Sequence, residues 1–277
     1  MGSAFEPVFT STGGLILAVV LGLLWGSFAN VCIYRLPAEK SVVTPGSHCG
    51  SCGKPVRWYD NVPVLSYLWL RGKCRDCGTH FSARYLLVEA LTAALFGVAW
   101  WFTLGTGGAS HAFGPFDMQV LRFVIMAAFV FVMVVITFID IDHMLILHKV
   151  TYPSIPLAYL ASLVDHRWWE GLVGAAVGYG LPWAIGTLYM KIRNREGLGL
   201  GDSTMLALVG ALLGWQGVIV SLFGGSVLGS IIGIITLTRA KKDVMTSEIP
   251  FGPFLAAAAV FYLFAEPWIR VHFRLVQ

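Results

Sequence analysis

Charge is scarce in this chain. Only 12% of its 277 residues are Asp, Glu, Lys or Arg, against 57% hydrophobic, and the mean hydropathy is +0.74. A soluble globular domain carries about 25% charged residues. The deficit excludes that class and argues for a polytopic membrane protein. The net charge of +4 is small and unevenly placed, so it bears on topology; no nucleic-acid partner is expected, and membrane lipid is. No basic residue precedes the first apolar run, where Glu6 is the sole charge, and no clear small-x-small cleavage site follows it. A standard secretory signal is thereby excluded, and the first run reads as a retained anchor. No convincing Ser/His or Cys/His set is present, which turns attention to chemistry that needs no covalent acyl-enzyme.

What is present is apolar sequence. Runs lie at about 14–34, 86–104, 121–139, 150–164, 171–190, 203–217, 218–237 and 251–268. A helical span needs roughly 20 residues, with tolerance for tilt, so about eight transmembrane helices are expected, in an all-α protein. The sixth and seventh are divided at Gly214-Trp215-Gln216-Gly217. The basic residues orient them. Fifteen of the 19 fall in the loop 35–85, at Lys149, at Lys191, Arg193 and Arg195, and at Arg239, Lys241 and Lys242; the other face holds Arg122, Arg167, Arg270 and Arg274. The richer side is cytoplasmic by the positive-inside rule, both chain ends are outside, and the stretch 105–120, without a basic residue, is an external loop.

The cytoplasmic loop holds the strongest metal signal. Cys49-Gly50-Ser51-Cys52 and Cys74-Arg75-Asp76-Cys77 are two CxxC knuckles with 21 residues between them. Four thiolates suit tetrahedral Zn²⁺, each knuckle supplying two ligands from one turn. Gly53 and Gly78 follow the knuckles directly, as a tight turn requires. A reducing cytoplasm disfavours two disulfides, and the pairing disfavours a redox CxxC. His48 and His80 are secondary ligand candidates; Cys32, inside the first run, is a packing residue. A ribbon of about 50 residues has little core, so metal binding is expected to supply much of its folding free energy. Apolar residues from Val62 to Leu70 pack against it or against the membrane surface.

Two aspartates lie where apolar helices meet basic loops. Asp140 stands in Phe138-Ile139-Asp140-Ile141-Asp142-His143, and Asp202 in Gly199-Leu200-Gly201-Asp202. Ionisable residues at a membrane boundary are costly to desolvate and are functional candidates. Two close carboxylates share a proton, one acting as general base on water and the other as general acid on a carbonyl. Asp142 points about 200° away from Asp140 on a helix and reads as an exposed helix-end charge. Gly197, Gly199 and Gly201 let the backbone turn tightly before Asp202. Gly174-x-x-x-Gly178 and Gly225-x-x-x-Gly229-x-x-x-Gly233 read as close-packing helix faces.

These motifs, in this order, resemble the type IV prepilin peptidases, also called prepilin leader peptidase/N-methyltransferases. The resemblance begins at Gly26-Ser27-Phe28-Ala29-Asn30-Val31-Cys32-Ile33-Tyr34-Arg35-Leu36-Pro37. It continues through the knuckles, Leu70-Arg71-Gly72-Lys73-Cys74, Arg84-Tyr85-Leu86-Leu87-Val88-Glu89, both aspartate motifs and Ile249-Pro250-Phe251-Gly252-Pro253. It implies a GxGD-type aspartyl protease of the bacterial cytoplasmic membrane, multi-pass, with its active site facing the cytoplasm. Asp140 and Asp202 would be the catalytic pair, cutting the basic leader from type IV prepilins or type II secretion pseudopilins. It also implies N-methylation of the new amino terminus with S-adenosylmethionine, for which Gly26, Asn30 and Arg35 are candidates by resemblance only. The implied organisation is a first transmembrane helix (1–34), a cytoplasmic four-cysteine zinc-binding region (35–85) and a transmembrane aspartyl protease core (86–277). The chain departs from the family pattern at Leu147-His148, Thr204, Gly50 and Leu86, none of which removes a carboxylate or a cysteine. Two other readings compete: another intramembrane GxGD aspartyl protease, and a non-catalytic transporter or scaffold with a zinc-stabilised loop. The cysteine loop and the N-terminal motif favour prepilin processing over the first. The placing of both acids at one face, rather than along a path, disfavours the second.

Overall fold

In the computed structural model, residues 6–105, 114–193, 198–239 and 249–273 are described. Arg195, Lys241, Lys242, Arg274 and Gly197, much of the stretch 105–120 and the side chain of Arg270 lie outside the described residues. The described chain is helical, with two isolated bridges and no strand. The helices are α1 (Glu6–Phe9), α2 (Thr12–Arg35), α3 (Leu65–Trp69), α4 (Ala83–Thr103), α5 (Phe116–His143), α6 (His148–Ser162), α7 (Trp168–Arg193), α8 (Leu200–Arg239) and α9 (Gly252–Phe273).

Every apolar run falls on a helix, but length and composition qualify five as membrane spans: α2, α4, α5, α7 and α8. The chain is a multi-pass membrane protein. The expected count of eight is not confirmed. Helix α6 has 15 residues, and the apolar part of α9 is Gly252–Pro267. The runs 203–217 and 218–237 share α8, where Gly214 adopts φ 68° and ψ −176°. A Cβ built on Gly210 would lie 2.8 Å from Val218 Cγ2. Eight residues along a straight helix are about 12 Å apart. The chain therefore doubles back at Gly214, a conformation that only glycine adopts without strain.

The chain forms two compact units, Met1–Val135 and Ile136–Gln277. In the first, α2 lies on α4 through glycines: a Cβ on Gly22 would be 2.6 Å from Ala93 Cα, and one on Gly26 would be 2.7 Å from Glu89 Cα. Asn30 Nδ2 donates to the Tyr85 carbonyl at 3.1 Å. Near the other end Trp100 Nε1 donates to the Phe9 carbonyl at 2.7 Å, above a small cluster of Ala18, Trp100 and Leu104.

The second unit is built around α8. Gly174 and Gly178 of α7 press on the α8 backbone, where side chains would overlap the carbonyls of Gly210 and Leu206. The returning arm of α8 meets the start of α9 at Gly225, Gly229 and Gly233, which face Leu255, Phe254 and Ile249. Both glycine repeats are thus helix-packing faces. Met205, Leu206, Val209, Leu213 and Leu255 fill the core. Near the reversal, buried His166 bridges two carboxylates, with Nδ1 3.0 Å from Glu170 Oε2 and Nε2 3.3 Å from Glu266 Oε1, joining the start of α7 to α9.

One pair of glycines tests the packing argument. A Cβ at Gly178 meets backbone, whereas at Gly180 it meets open space. We expect Gly178→Ala to lower stability by about 1–3 kcal/mol through forced helix separation. Gly180→Ala is expected to raise it by about 0.5–1 kcal/mol through helix propensity. Thermal unfolding of the two purified variants in detergent checks the opposite signs.

Candidate functional site

Asp140 and Asp202 belong to the second unit and stand at helix termini that meet. Asp140 is on the last turns of α5 and is 5% exposed. The helix ends when Met144, at φ 50°, donates its N–H back to the Asp140 carbonyl at 2.8 Å. Asp140 Oδ2 accepts the N–H of Gly252, the first residue of α9, at 2.9 Å. The first N–H groups of a helix have no intrahelical partner, so a carboxylate is a natural acceptor there. A Cβ on Gly252 would fall 2.7 Å from that same oxygen; glycine is what lets the two approach.

Asp202 is the third residue of α8, and its Oδ2 accepts the Gly199 N–H at 3.1 Å. This is the backward half of a capping box, with an aspartate in the usual Glu position. Gly201 carries the Ile146 side chain: a Cβ there would be 2.8 Å from Ile146 Cβ. The short connection after α5 therefore rests on the GxGD turn and brings the two acids to the same end of the unit. Each carboxylate commits Oδ2 to a backbone N–H. Among the described residues neither Oδ1 has such a bond. Asp142 is exposed. The departures Thr204 and His148 have local partners. Buried Thr204 donates to the Gly201 carbonyl at 2.9 Å and lies 3.4 Å from Thr151 Oγ1, and His148 stacks on Tyr152.

In the first unit, the ligand atoms of Cys49, Cys52, Cys74 and Cys77 lie within 4.8 Å of one another, and all four cysteines are free. The knuckles repeat one geometry. Gly53 and Gly78, at φ 70° and 72°, donate to the carbonyls of Cys49 and Cys74, each at 2.9 Å. Cys49 and Cys74 in turn donate to Lys54 and Thr79. The side chain and backbone of Thr79 bring the Cys77 thiol down to about 6, toward the thiolate a metal requires. The group can hold a metal ion, and His48 and His80 are not part of it. Arg75, inside the second knuckle, grips Asp60 with two nitrogens, at 2.8 and 2.6 Å. Its guanidinium holds the Asp60 carboxyl below the usual range.

Gly26, Asn30 and Arg35 share the end of α2 nearest the cysteine loop. Gly26 is occupied by Glu89 and Asn30 by the Tyr85 carbonyl. Buried Arg35 donates to the carbonyls of Ser41, at 3.0 Å, and Gly46, at 3.3 Å, folding the chain back toward the knuckles. Beside them is a carboxylate that sequence reasoning passed over. Buried Glu89 accepts the Val64 N–H at 2.7 Å, and Val64 has φ 61°, rare for a β-branched residue. The signal was available: Glu89 is the sole acid in the run 86–104. The Gly252 N–H had no comparable signal, being a backbone group 112 residues from Asp140.

Both sites fall within regions that compare with known proteins. Residues 20–103 match the bacterial peptidase A24 N-terminal domain, and residues 125–234 match the type IV leader peptidase family. In class, then, this is a membrane-embedded peptidase. The chain is 34% identical to a prepilin leader peptidase/N-methyltransferase of Pseudomonas putida, over 92% of this chain and 90% of the relative. It is 35% identical to proteins of that name from Aeromonas hydrophila, over 87% of each chain, and Dichelobacter nodosus, over 88% and 89%. The chain belongs to the type IV leader peptidase family. No solved structure matches it.

The Asp60–Arg75 pair gives a measurable stability term. The folded carboxyl is depressed, so its contribution is complete above the ordinary range near pH ~4 and is lost as pH falls through the lower folded value. Arg75 is partly exposed, so solvent screening keeps the pair's contribution small. At neutral pH we expect Asp60→Asn to speed amide exchange modestly across residues 58–75 and to leave exchange in residues 136–193 and 198–204 unchanged.

Proposed function

We propose that this protein is an aspartic endopeptidase that removes the leader of type IV prepilins or type II secretion pseudopilins. It does so at the cytoplasmic face of the bacterial inner membrane. The observation that carries the reading is the meeting of Asp140 and Asp202 at helix ends, each with one oxygen anchored and the other available. One aspartate, ionised, takes a proton from water as that water attacks the scissile carbonyl. The other, protonated, hydrogen-bonds the carbonyl oxygen and stabilises the charge developing there. The substrate's apolar helix lies in the bilayer while its basic leader stays in the cytoplasm, so the scissile bond arrives at the depth of the carboxylates. The names of the relatives support both the leader peptidase and the N-methyltransferase activity.

We assign residues 1–34 to an anchoring helix, 35–85 to the metal region and 86–277 to the protease core. We read the metal as Zn²⁺: four thiolates suit a tetrahedral zinc site, and the 3.8 Å between the sulfurs of Cys49 and Cys77 is compatible with bonds of about 2.3 Å. Zinc there is structural, fixing a loop with little core. The new amino terminus receives a methyl group from S-adenosylmethionine near the loop end of α2. Gly26, Asn30 and Arg35 shape that region through the contacts they already make.

Incubation of the purified enzyme with a model prepilin, read by mass spectrometry, tests both activities through loss of the leader and gain of one CH₂. Asp140→Asn and Asp202→Asn are each expected to abolish cleavage in protein that remains inserted and folded, and Asp142→Asn to be mild. Near-normal cleavage by either of the first two would overturn the pair.

Elemental analysis is expected to find about one zinc per chain. Replacement of Cys49, Cys52, Cys74 or Cys77 by Ser is expected to release it and to open the 35–85 loop to proteolysis. Metal-free protein with an intact loop would refute the assignment.

A further inference from the structure

The segment between the knuckles presents large apolar side chains outward. Trp58 and Trp69 are each 82% exposed, Leu65 65% and Leu68 59%, with Tyr59 beside them. Single exposed apolar residues need no explanation, but a contiguous group marks an interaction surface. Its place in the first unit is set by one bond. Glu89 accepts the Val64 N–H, and Glu89 lies six residues inside α4, about 9 Å beyond the first residue of that span. Helix α3 begins at the next residue, Leu65. The patch is therefore held level with the opening turns of a membrane span, not out in the aqueous part of the loop. At that height, a side chain pointing away from the protein meets the boundary between headgroups and acyl chains.

The residues suit that boundary. Trp and Tyr concentrate there because an apolar ring with a polar edge is satisfied on both sides. Exposed Arg71 and Lys73 follow α3 directly, placing cations where anionic headgroups lie. Between the knuckles and within them the acids do not compete, since Asp60 is held by Arg75, and Asp76 faces Lys54 at 3.3 Å and Arg57 at 3.9 Å. We propose that Trp58, Tyr59, Leu65, Leu68 and Trp69 form a membrane-surface anchor that inserts into the headgroup boundary, with Arg71 and Lys73 on anionic lipid. The anchor holds the four-cysteine cluster against the bilayer, and Glu89 sets its depth through Val64.

The test uses the full chain in phosphatidylcholine–phosphatidylglycerol vesicles carrying nitroxide lipids labelled near the headgroup or at the chain end. Subtracting the fluorescence of Trp58→Phe/Trp69→Phe isolates these two residues from the other eight tryptophans. Both rings are at the surface, and phenylalanine keeps an aromatic ring where Trp58 meets Tyr59 edge-on. The isolated component is expected to be quenched at least about twofold more by the shallow label than by the deep one, and little by aqueous iodide. Efficient iodide quenching without lipid quenching would overturn the proposal. Shielding from iodide that develops only when a prepilin is added would also overturn it, assigning the surface to a polypeptide. Hydroxyl-radical footprinting of the unmodified protein in the same vesicles needs no substitution. Slow oxidation of Trp58 and Trp69 is expected, and oxidation as fast as that of a free tryptophan refutes the anchor.

Discussion

A carboxylate buried at the end of a membrane helix needs a hydrogen-bond donor, and much of the second unit can be traced to how Asp140 obtains one. Water is scarce there, and an unsatisfied acid is expensive. The donor is the first N–H of α9, a group that is itself without an intrahelical partner. Satisfying both with one bond fixes the start of α9 against the end of α5. It requires glycine at position 252, because any Cβ would occupy the carboxylate's space. From that point α9 runs along the returning arm of α8 and reaches His166 through Glu266 near the reversal.

The remaining geometry follows from backbones that come unusually close. Lipid offers no hydrophobic gain for pressing apolar helices together, so association rests on dispersion and on small residues that allow it. Gly174 and Gly178 supply this between α7 and α8, and Gly225, Gly229 and Gly233 between α8 and α9. The fold-back at Gly214 returns the second arm of α8 toward the end that carries Asp202. Asp202 and the start of α9 thereby stand at the same end of the unit, although 50 residues separate them in sequence.

How much of this was legible beforehand differs by residue. The helical class, the apolar runs and the four-cysteine grouping follow from hydropathy and spacing, because each is a local property. The break at Gly214 was legible as a Gly-Trp-Gln-Gly interruption, but how far the two arms separate was not, since periodicity does not record a reversal. Asp202 was marked by its glycines. Gly199 donates its N–H locally, to Asp202, but Gly201 admits Ile146, a partner 55 residues upstream that spacing does not record. The hydrogen bonds to Gly252 and Val64 were invisible because backbone N–H groups leave no trace in sequence. The Glu170–His166–Glu266 bridge was missed because a lone histidine beside a loop is ordinary.

In both units, acidic groups at the candidate sites are held by backbone N–H groups rather than by lysine or arginine. Asp140 uses Gly252, Asp202 uses Gly199, Glu89 uses Val64, and Cys49 and Cys77 draw on the N–H groups that follow them. Asp60 and Asp76, which face cations, belong to the cysteine loop, apart from the aspartate pair. The distinction matters for the proposed chemistry. A guanidinium beside an aspartate fixes it in the charged state, as it does for Asp60. A single N–H orients a carboxylate while leaving its other oxygen able to take up and release a proton. A pair in which one member must be ionised and the other protonated needs that latitude from both partners. The scarcity of charge with which the sequence opens is thus consistent with a site whose acids are positioned by helix ends.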